Sequence, residues 1–188
     1  WTLINNTTHP PVVNWIVVFF KESRKKSVDA LEIKAGDKVL IVGAGTGLDL
    51  AFLPNDCEIV ATDITPAMIE LIKKRSSTSN RRVQAIVMDG QRLEFADNSF
   101  DKIILHLILA VIPDPIACIK ESERLLKPGG HIVVFDKFVR RDTKASMLRR
   151  VANLLTNLIF TDITRNFESI LSKSGLRMIN DIDADFNG

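Results

Sequence analysis

A chain of 188 residues fits one compact domain, about 150 residues being the usual size. Its 46% hydrophobic and 26% charged residues exclude a disordered or fibrous chain. With 25 basic and 23 acidic residues the net charge is +2, which excludes a protein devoted to coating nucleic acid but leaves room for a local basic patch.

The chain opens at Trp1 rather than methionine, as expected of a fragment or a trimmed chain. Val13, Ile16, Val17 and Phe20 recur at helical spacing, and a basic cluster of Lys21, Arg24, Lys25 and Lys26 follows. No apolar run reaches the roughly 18 residues of a membrane helix. Val12 to Phe20 is broken by Asn14, and it lacks the flanks of a signal peptide. Cys57 and Cys118 build neither a disulfide framework nor a metal site, so a reducing cytoplasmic setting is expected.

From residue 38 onward short apolar runs alternate with helical patterns. Val39 to Val42 predicts a strand covered on both faces, and further strands are expected at Glu58 to Thr62, Val83 to Met88, Lys102 to Leu107 and His131 to Phe135. Thr65-Pro66 and Asp114-Pro115 each read as an N-cap followed by proline at the first helical position. Lys127-Pro128-Gly129-Gly130 should stop a helix and turn the chain into the fifth strand. Right-handed βαβ units in this order predict a doubly wound, mostly parallel α/β sheet with helices on both faces. Leu148, Val151, Ala152, Leu155, Leu158 and Ile159 trace one further helical face, and Arg177 to Asp183 is expected as a sixth strand.

Gly43-Ala44-Gly45-Thr46-Gly47 directly follows the first strand and is expected to open a helix, where backbone N–H groups can approach a ligand. A tight turn without a ligand is the alternative. The dinucleotide pattern G-x-G-x-x-G/A would need Gly or Ala at position 48, where Leu48 stands. Asp63 ends the second strand and is placed to accept both hydroxyls of a ribose, or else to cap the turn beside Thr65.

Three more motifs follow in order: Met88-Asp89-Gly90 after the third strand, Asp97-Asn98-Ser99-Phe100-Asp101 before the fourth, and Leu126-Lys127-Pro128-Gly129-Gly130. With the glycine loop they resemble the class I S-adenosylmethionine-dependent methyltransferases. The likeness is greatest to the small-molecule branch containing the ubiquinone/menaquinone-biosynthesis and bacterial phosphatidylethanolamine N-methyltransferases. It runs from about Gly36 to Phe138, and Val111-Ile112-Pro113-Asp114-Pro115 is similar to the phospholipid group in particular. The resemblance implies a single Rossmann-like methyltransferase domain over 1–188. Residues 1–35 would form a lid, 36–138 the cofactor-binding core, and 139–188 the C-terminal helices and edge strand.

It also implies roles. Gly43, Ala44, Gly45, Thr46 and Gly47 would form the loop around the methionine end of S-adenosylmethionine. Asp63 would hold the ribose, Ile64 and Met68 would pack on the adenine, and Asp89 would accept from the adenine amino group beside Gly90 and Gln91. His106 and Leu107 would lie near the sulfonium and the methyl acceptor. Three departures stand against the pattern. Ile41 replaces the family's acidic residue two positions before the first loop glycine, leaving Asp49 as the substitute for holding the methionine ammonium. The chain has no tyrosine for a lid, only Trp1, His9 and Trp15. A chain ending at Gly188 has little room for the family's seventh, antiparallel strand.

Methyl transfer is a direct displacement, so the protein chiefly positions the nucleophile and excludes water. His106 is the candidate base for an acceptor that arrives protonated, against the alternative of a hydrogen-bonded core histidine. Asp136 is the weaker candidate, against a capping or salt-bridging role. The Asn/Asp-Pro-Pro-aromatic motif of amino-methylating DNA enzymes is missing after the fourth strand, and scattered cysteines do not make an arsenic-methylating site. The expected acceptor is therefore a small molecule or lipid head group, not nucleic acid, and no metal is expected. Lys137, Arg140, Arg141, Lys144, Arg149 and Arg150 stand against one acid, Asp142. They raise the expectation of peripheral contact with an anionic membrane, the alternative being a solvated face over the active site. Two other functions compete: a nicotinamide-dependent oxidoreductase, and a non-catalytic S-adenosylmethionine-binding domain.

Overall fold

A computed structural model describes residues 20–78, 81–136 and 166–181 of the chain. In chain order these form α1 (Lys21–Asp29), β1 (Lys38–Val42), a 3-10 helix (Leu48–Phe52), β2 (Glu58–Asp63), α2 (Pro66–Thr78), β3 (Val83–Val87), β4 (Phe100–His106), α3 (Pro115–Leu125), β5 (Leu126–Phe135) and α4 (Phe167–Leu171). The five strands make one sheet in the order β3-β2-β1-β4-β5, every neighbouring pair parallel.

The central strand explains the unbroken apolar run, because β1 is covered on both faces. Val39 and Ile41 point into one core with Ile59, Ala61 and Ile104, closed by Val28 of α1, Leu50 of the 3-10 helix and Ile69 and Ile72 of α2. Leu40 and Val42 point the other way, into a core with Val60, Ile103 and Leu105 that is closed by Cys118, Ile119 and Leu125 of α3 and Ile170 of α4. Each fully buried side chain of this size contributes about 1.5–3 kcal/mol. The strand order reverses direction between β1 and β4, whose C-terminal ends lie side by side with Val42 paired to Leu105. In an open α/β sheet that crevice is where a ligand binds.

The two proline-led helix starts form as expected. Asp114 accepts hydrogen bonds from the N–H groups of Ile116 and Ala117, and the carbonyl of Thr65 accepts from Met68 and Ile69. Three expectations need correction. The glycine loop opens a five-residue 3-10 helix, because Pro54 cannot continue a helix and holds Leu53 extended at φ −80°, ψ 148°. The Lys127-Pro128-Gly129-Gly130 turn lies within β5 as an irregularity in its ladder: Phe100 pairs with Leu126 and Lys102 with His131. Finally, Arg177–Asp181 forms no strand. The apolar stretch before Phe20, the helical face at 148–159 and the basic segment at 137–150 lie outside the described residues. Among the described residues no helix is long and apolar enough to cross a membrane.

Candidate active site

Because the strands are parallel, each strand end delivers its residues to one rim. Gly43 has φ +65°, and a Cβ on it would stand 2.5 Å from Ile108 Cδ1, so only glycine fits beneath that side chain. Gly45 has φ +55°, and a Cβ there would meet no protein atom within 4 Å; the loop presents open space at this point. Ala44 is buried, its N–H bonded to the Thr62 carbonyl, and Gly47 closes the turn by donating to the Ala44 carbonyl. Thr46 lies half-buried between them.

Asp63, the last residue of β2, has two local partners. One carboxylate oxygen accepts from the Gly45 N–H at 2.8 Å and the other from the Thr65 N–H at 2.9 Å. The capping alternative is thus present, and the same bonds tie the carboxylate to the glycine loop, leaving further lone pairs on each oxygen. Ile64 follows it, 65% exposed although apolar, and Met68 is half-buried on the first turn of α2. Asp89 sits two residues beyond β3, joined to the end of β2 by the Met88 N–H donating to the Asp63 carbonyl. The Gln91 side chain donates to both Asp89 oxygens at 3.0 Å and accepts from the Asp114 N–H through its own carbonyl. Gly90 is buried, a Cβ on it falling 2.8 Å from Val42 Cγ1.

At the end of β4, His106 is buried and both ring nitrogens are engaged. Nδ1 lies 2.8 Å from Asp49 Oδ1, and Nε2 lies 2.6 Å from Ser27 Oγ. Phe135 meets the ring edge-on at 5.7 Å between centroids. Asp49, 2% exposed, also accepts from the Arg24 guanidinium at 2.7 and 2.8 Å. Burial alone would push the Asp49 pKa up; His106 and Arg24 outweigh it and hold the carboxylate below its ordinary range. Leu107 takes a left-handed φ of +58° and donates its N–H to the Phe135 carbonyl, which turns the chain so that Ile108 covers Gly43.

Two sequence expectations change here. Asp49 is not placed to substitute for the missing acid at position 41, because it is 2% exposed and turned onto Arg24 and His106, while Ile41 itself lies in the sheet core at 1% exposure. Asp136 accepts from the Ala110 N–H at 2.9 Å, a backbone tie of the kind its non-catalytic alternative expects. Ser27 and Arg24 were not singled out by sequence for chemistry. In the sequence Arg24 belongs to a basic cluster, and Ser27 lies 79 residues from its partner His106. Neither thiol is a nucleophile: Cys57 and Cys118 are buried, and burial pushes Cys118 up to about 12.

The strand order and the rim of strand-end residues define a class I methyltransferase-type Rossmann-like fold. The model of a methyltransferase domain matches residues 40–134, and the chain belongs to that family. It is 37% identical over 112 residues to a demethylmenaquinone methyltransferase of Corynebacterium glutamicum (strain R), covering 59% of this chain and 46% of the relative. It is 28% identical over 123 residues to a phosphatidylethanolamine N-methyltransferase of Cereibacter sphaeroides, covering 63% of this chain and 60% of the relative. Among solved structures, phosphoethanolamine N-methyltransferase 2 of Haemonchus contortus, in complex with S-adenosyl-L-methionine, superposes with a TM-score of 0.69 at 22% identity, covering 82% of this chain and 36% of that one. The chain spans about half the length of the demethylmenaquinone methyltransferases it matches.

Proposed function

We propose that this chain binds S-adenosylmethionine along the rim and transfers its methyl group to a small organic acceptor. The observation that carries this reading is the pair of carboxylates, Asp63 and Asp89, on neighbouring strand ends beside a glycine loop with open space at Gly45. Gly43, Ala44, Gly45, Thr46 and Gly47 would cradle the methionine end and Asp63 the ribose hydroxyls. Exposed Ile64 with Met68 would give the adenine an apolar shelf, and Asp89, beside Gly90 and Gln91, would accept from its amino group. His106 and Leu107 would stand nearest the reacting groups. This division makes 36–138 the binding core. The bound group supplies an electrophilic methyl on a sulfonium; the chain's task is to align the acceptor and keep water out. A carboxylate for the methionine ammonium is supplied by neither Ile41 nor Asp49.

The oxidoreductase reading is disfavoured by the 3-10 helix. A dinucleotide's pyrophosphate needs the N-terminus of a full helix with its summed dipole, and five 3-10 residues after Gly47 provide little of it.

The names of the relatives direct the acceptor assay. Purified protein with radiolabelled S-adenosylmethionine would be offered a demethylated menaquinone and phosphatidylethanolamine vesicles. Label in either product supports the reading. Tight S-adenosylhomocysteine binding with no transfer to any acceptor of a broad panel would favour the non-catalytic domain. Two buried free thiols fit a reducing cytoplasmic setting. The basic run of Lys137, Arg140, Arg141, Lys144, Arg149 and Arg150 supports peripheral membrane contact, at about 1 kcal/mol per basic residue near an anionic surface. Failure to co-sediment with anionic vesicles at low salt would remove that part.

A further inference from the structure

We infer that Ser27 Oγ is the group that takes the proton from the methyl acceptor, with His106 as the base behind it and Asp49 as the orienter of that base. The inference deepens the methyl-transfer reading and rests on it.

Burial excludes direct use of the imidazole. The His106 side chain is 1% exposed, with Asp49 on one nitrogen and Ser27 on the other, so an acceptor molecule has no free nitrogen to meet. Of Ser27, His106 and Asp49, only Ser27 is partly exposed, the other two being buried. The tautomer follows from the partners. An ionised carboxylate only accepts, so the hydrogen of the neutral ring sits on Nδ1 and points at Asp49. Nε2 is then bare and accepts from the Ser27 hydroxyl. A helical serine ordinarily donates to a carbonyl one turn back, and Arg24 O stands at 3.2 Å. The imidazole, at 2.6 Å, is the closer acceptor for the one hydrogen. Arg24 donates to both Asp49 oxygens, including the Oδ1 that faces His106, and keeps the carboxylate charged. Nucleophile, base and orienter are each within hydrogen-bond reach of the next, the arrangement by which a weak hydroxyl is activated.

In the reaction the acceptor atom forms a bond to the methyl carbon, and the sulfur keeps the electron pair of the bond that breaks. The acceptor's proton passes to Ser27 Oγ as the serine's own proton passes to His106 Nε2, leaving an imidazolium beside the Asp49 carboxylate. Such a relay serves an acceptor that arrives carrying a proton on its reacting atom: an amine, a hydroxyl or an acidic carbon. It has no use for a thioether or a tertiary amine.

The activated hydroxyl can be read without any methyl acceptor. Diisopropyl fluorophosphate would react by forming an Oγ–P bond and expelling fluoride while His106 takes the serine proton. Intact-mass and peptide analysis of the full chain should show one adduct on Ser27. It should be absent in Ser27→Ala and formed about a hundredfold more slowly in His106→Gln. Circular dichroism on the same samples reports whether each variant is folded, and S-adenosylhomocysteine binding is measured beside it. Wild-type protein that binds S-adenosylhomocysteine but gives no Ser27 adduct overturns the relay while leaving methyl transfer intact. So does an adduct that forms at the same rate in a folded His106→Gln protein. A His106-dependent adduct on protein that does not bind S-adenosylhomocysteine contradicts the methyl-transfer reading instead.

Discussion

Asp49 and His106, 57 residues apart in the chain, meet at 2.8 Å beneath the rim of the sheet. The pair ties the turn after the glycine loop to the end of β4, and Arg24 brings α1 onto the same carboxylate. A buried ion pair deprived of one partner leaves an uncompensated charge. Arg24→Met should therefore destabilise the fold by about 3–5 kcal/mol in urea denaturation. A loss below 1 kcal/mol would mean that Asp49 finds water or another donor.

The same carboxylate sets an acid limit. Asp49 is held below its ordinary range in the folded chain, as are Asp101 by Lys127 and the Lys38 N–H, and Glu121 chiefly by Arg124. A depressed folded pKa contributes stability that is fully present above the unfolded value, about 4, and is lost as pH falls through the folded value. Melting temperature should be flat in these groups from pH 7 to 5 and fall steeply below pH 4. The fall should be shallower in Asp49→Asn, whose plateau lies lower.

Asp63 should matter to both fold and ligand. Asp63→Ala removes the acceptor of the Gly45 and Thr65 N–H groups, and hydrogen bonds to a charged group contribute about 1.5–3 kcal/mol. Denaturation should show a loss of that order, and calorimetry should show S-adenosylhomocysteine affinity falling at least about a hundredfold, or 2.7 kcal/mol. Loss of stability with unchanged affinity would confine Asp63 to capping.

The two loop glycines should separate fold from binding. In Gly43→Ala the new methyl drives into Ile108 at 2.5 Å, which adds an overpacking cost of about 1–3 kcal/mol to the positive-φ strain. In Gly45→Ala the strain alone, about 1–2 kcal/mol, lowers stability, while the methyl projects into the space assigned to the ligand. Gly43→Ala should be the less stable protein, and Gly45→Ala the one with the greater loss of affinity relative to its loss of stability.

Much of the frame was legible because buried parallel strands write themselves as continuous apolar runs. Val39 to Val42 could be no other element, and Asp114-Pro115 announced its helix. Gly43, Asp63 and Asp89 were legible because each sits at a strand end, so locating the strand located the residue. The 3-10 helix is readable in principle: the six residues between Gly47 and Pro54 leave room for barely two turns. Arg24 and Ser27 were not readable as site residues. Both lie on a helix whose sequence, Lys21 to Asp29, looks like a solvated basic face, and only its packing against the 3-10 helix and β4 turns these two inward. The same contact turns Asp49 away from ligand binding and onto Arg24 and His106.

The most direct test of the account is a thermal-shift titration with S-adenosylhomocysteine and, separately, with NADH. At 100 times its dissociation constant a ligand stabilises the fold by about 2.7 kcal/mol, several degrees for a chain of this size. S-adenosylhomocysteine should raise the melting temperature and NADH should leave it unchanged. A shift with NADH alone would contradict the methyl-transfer reading.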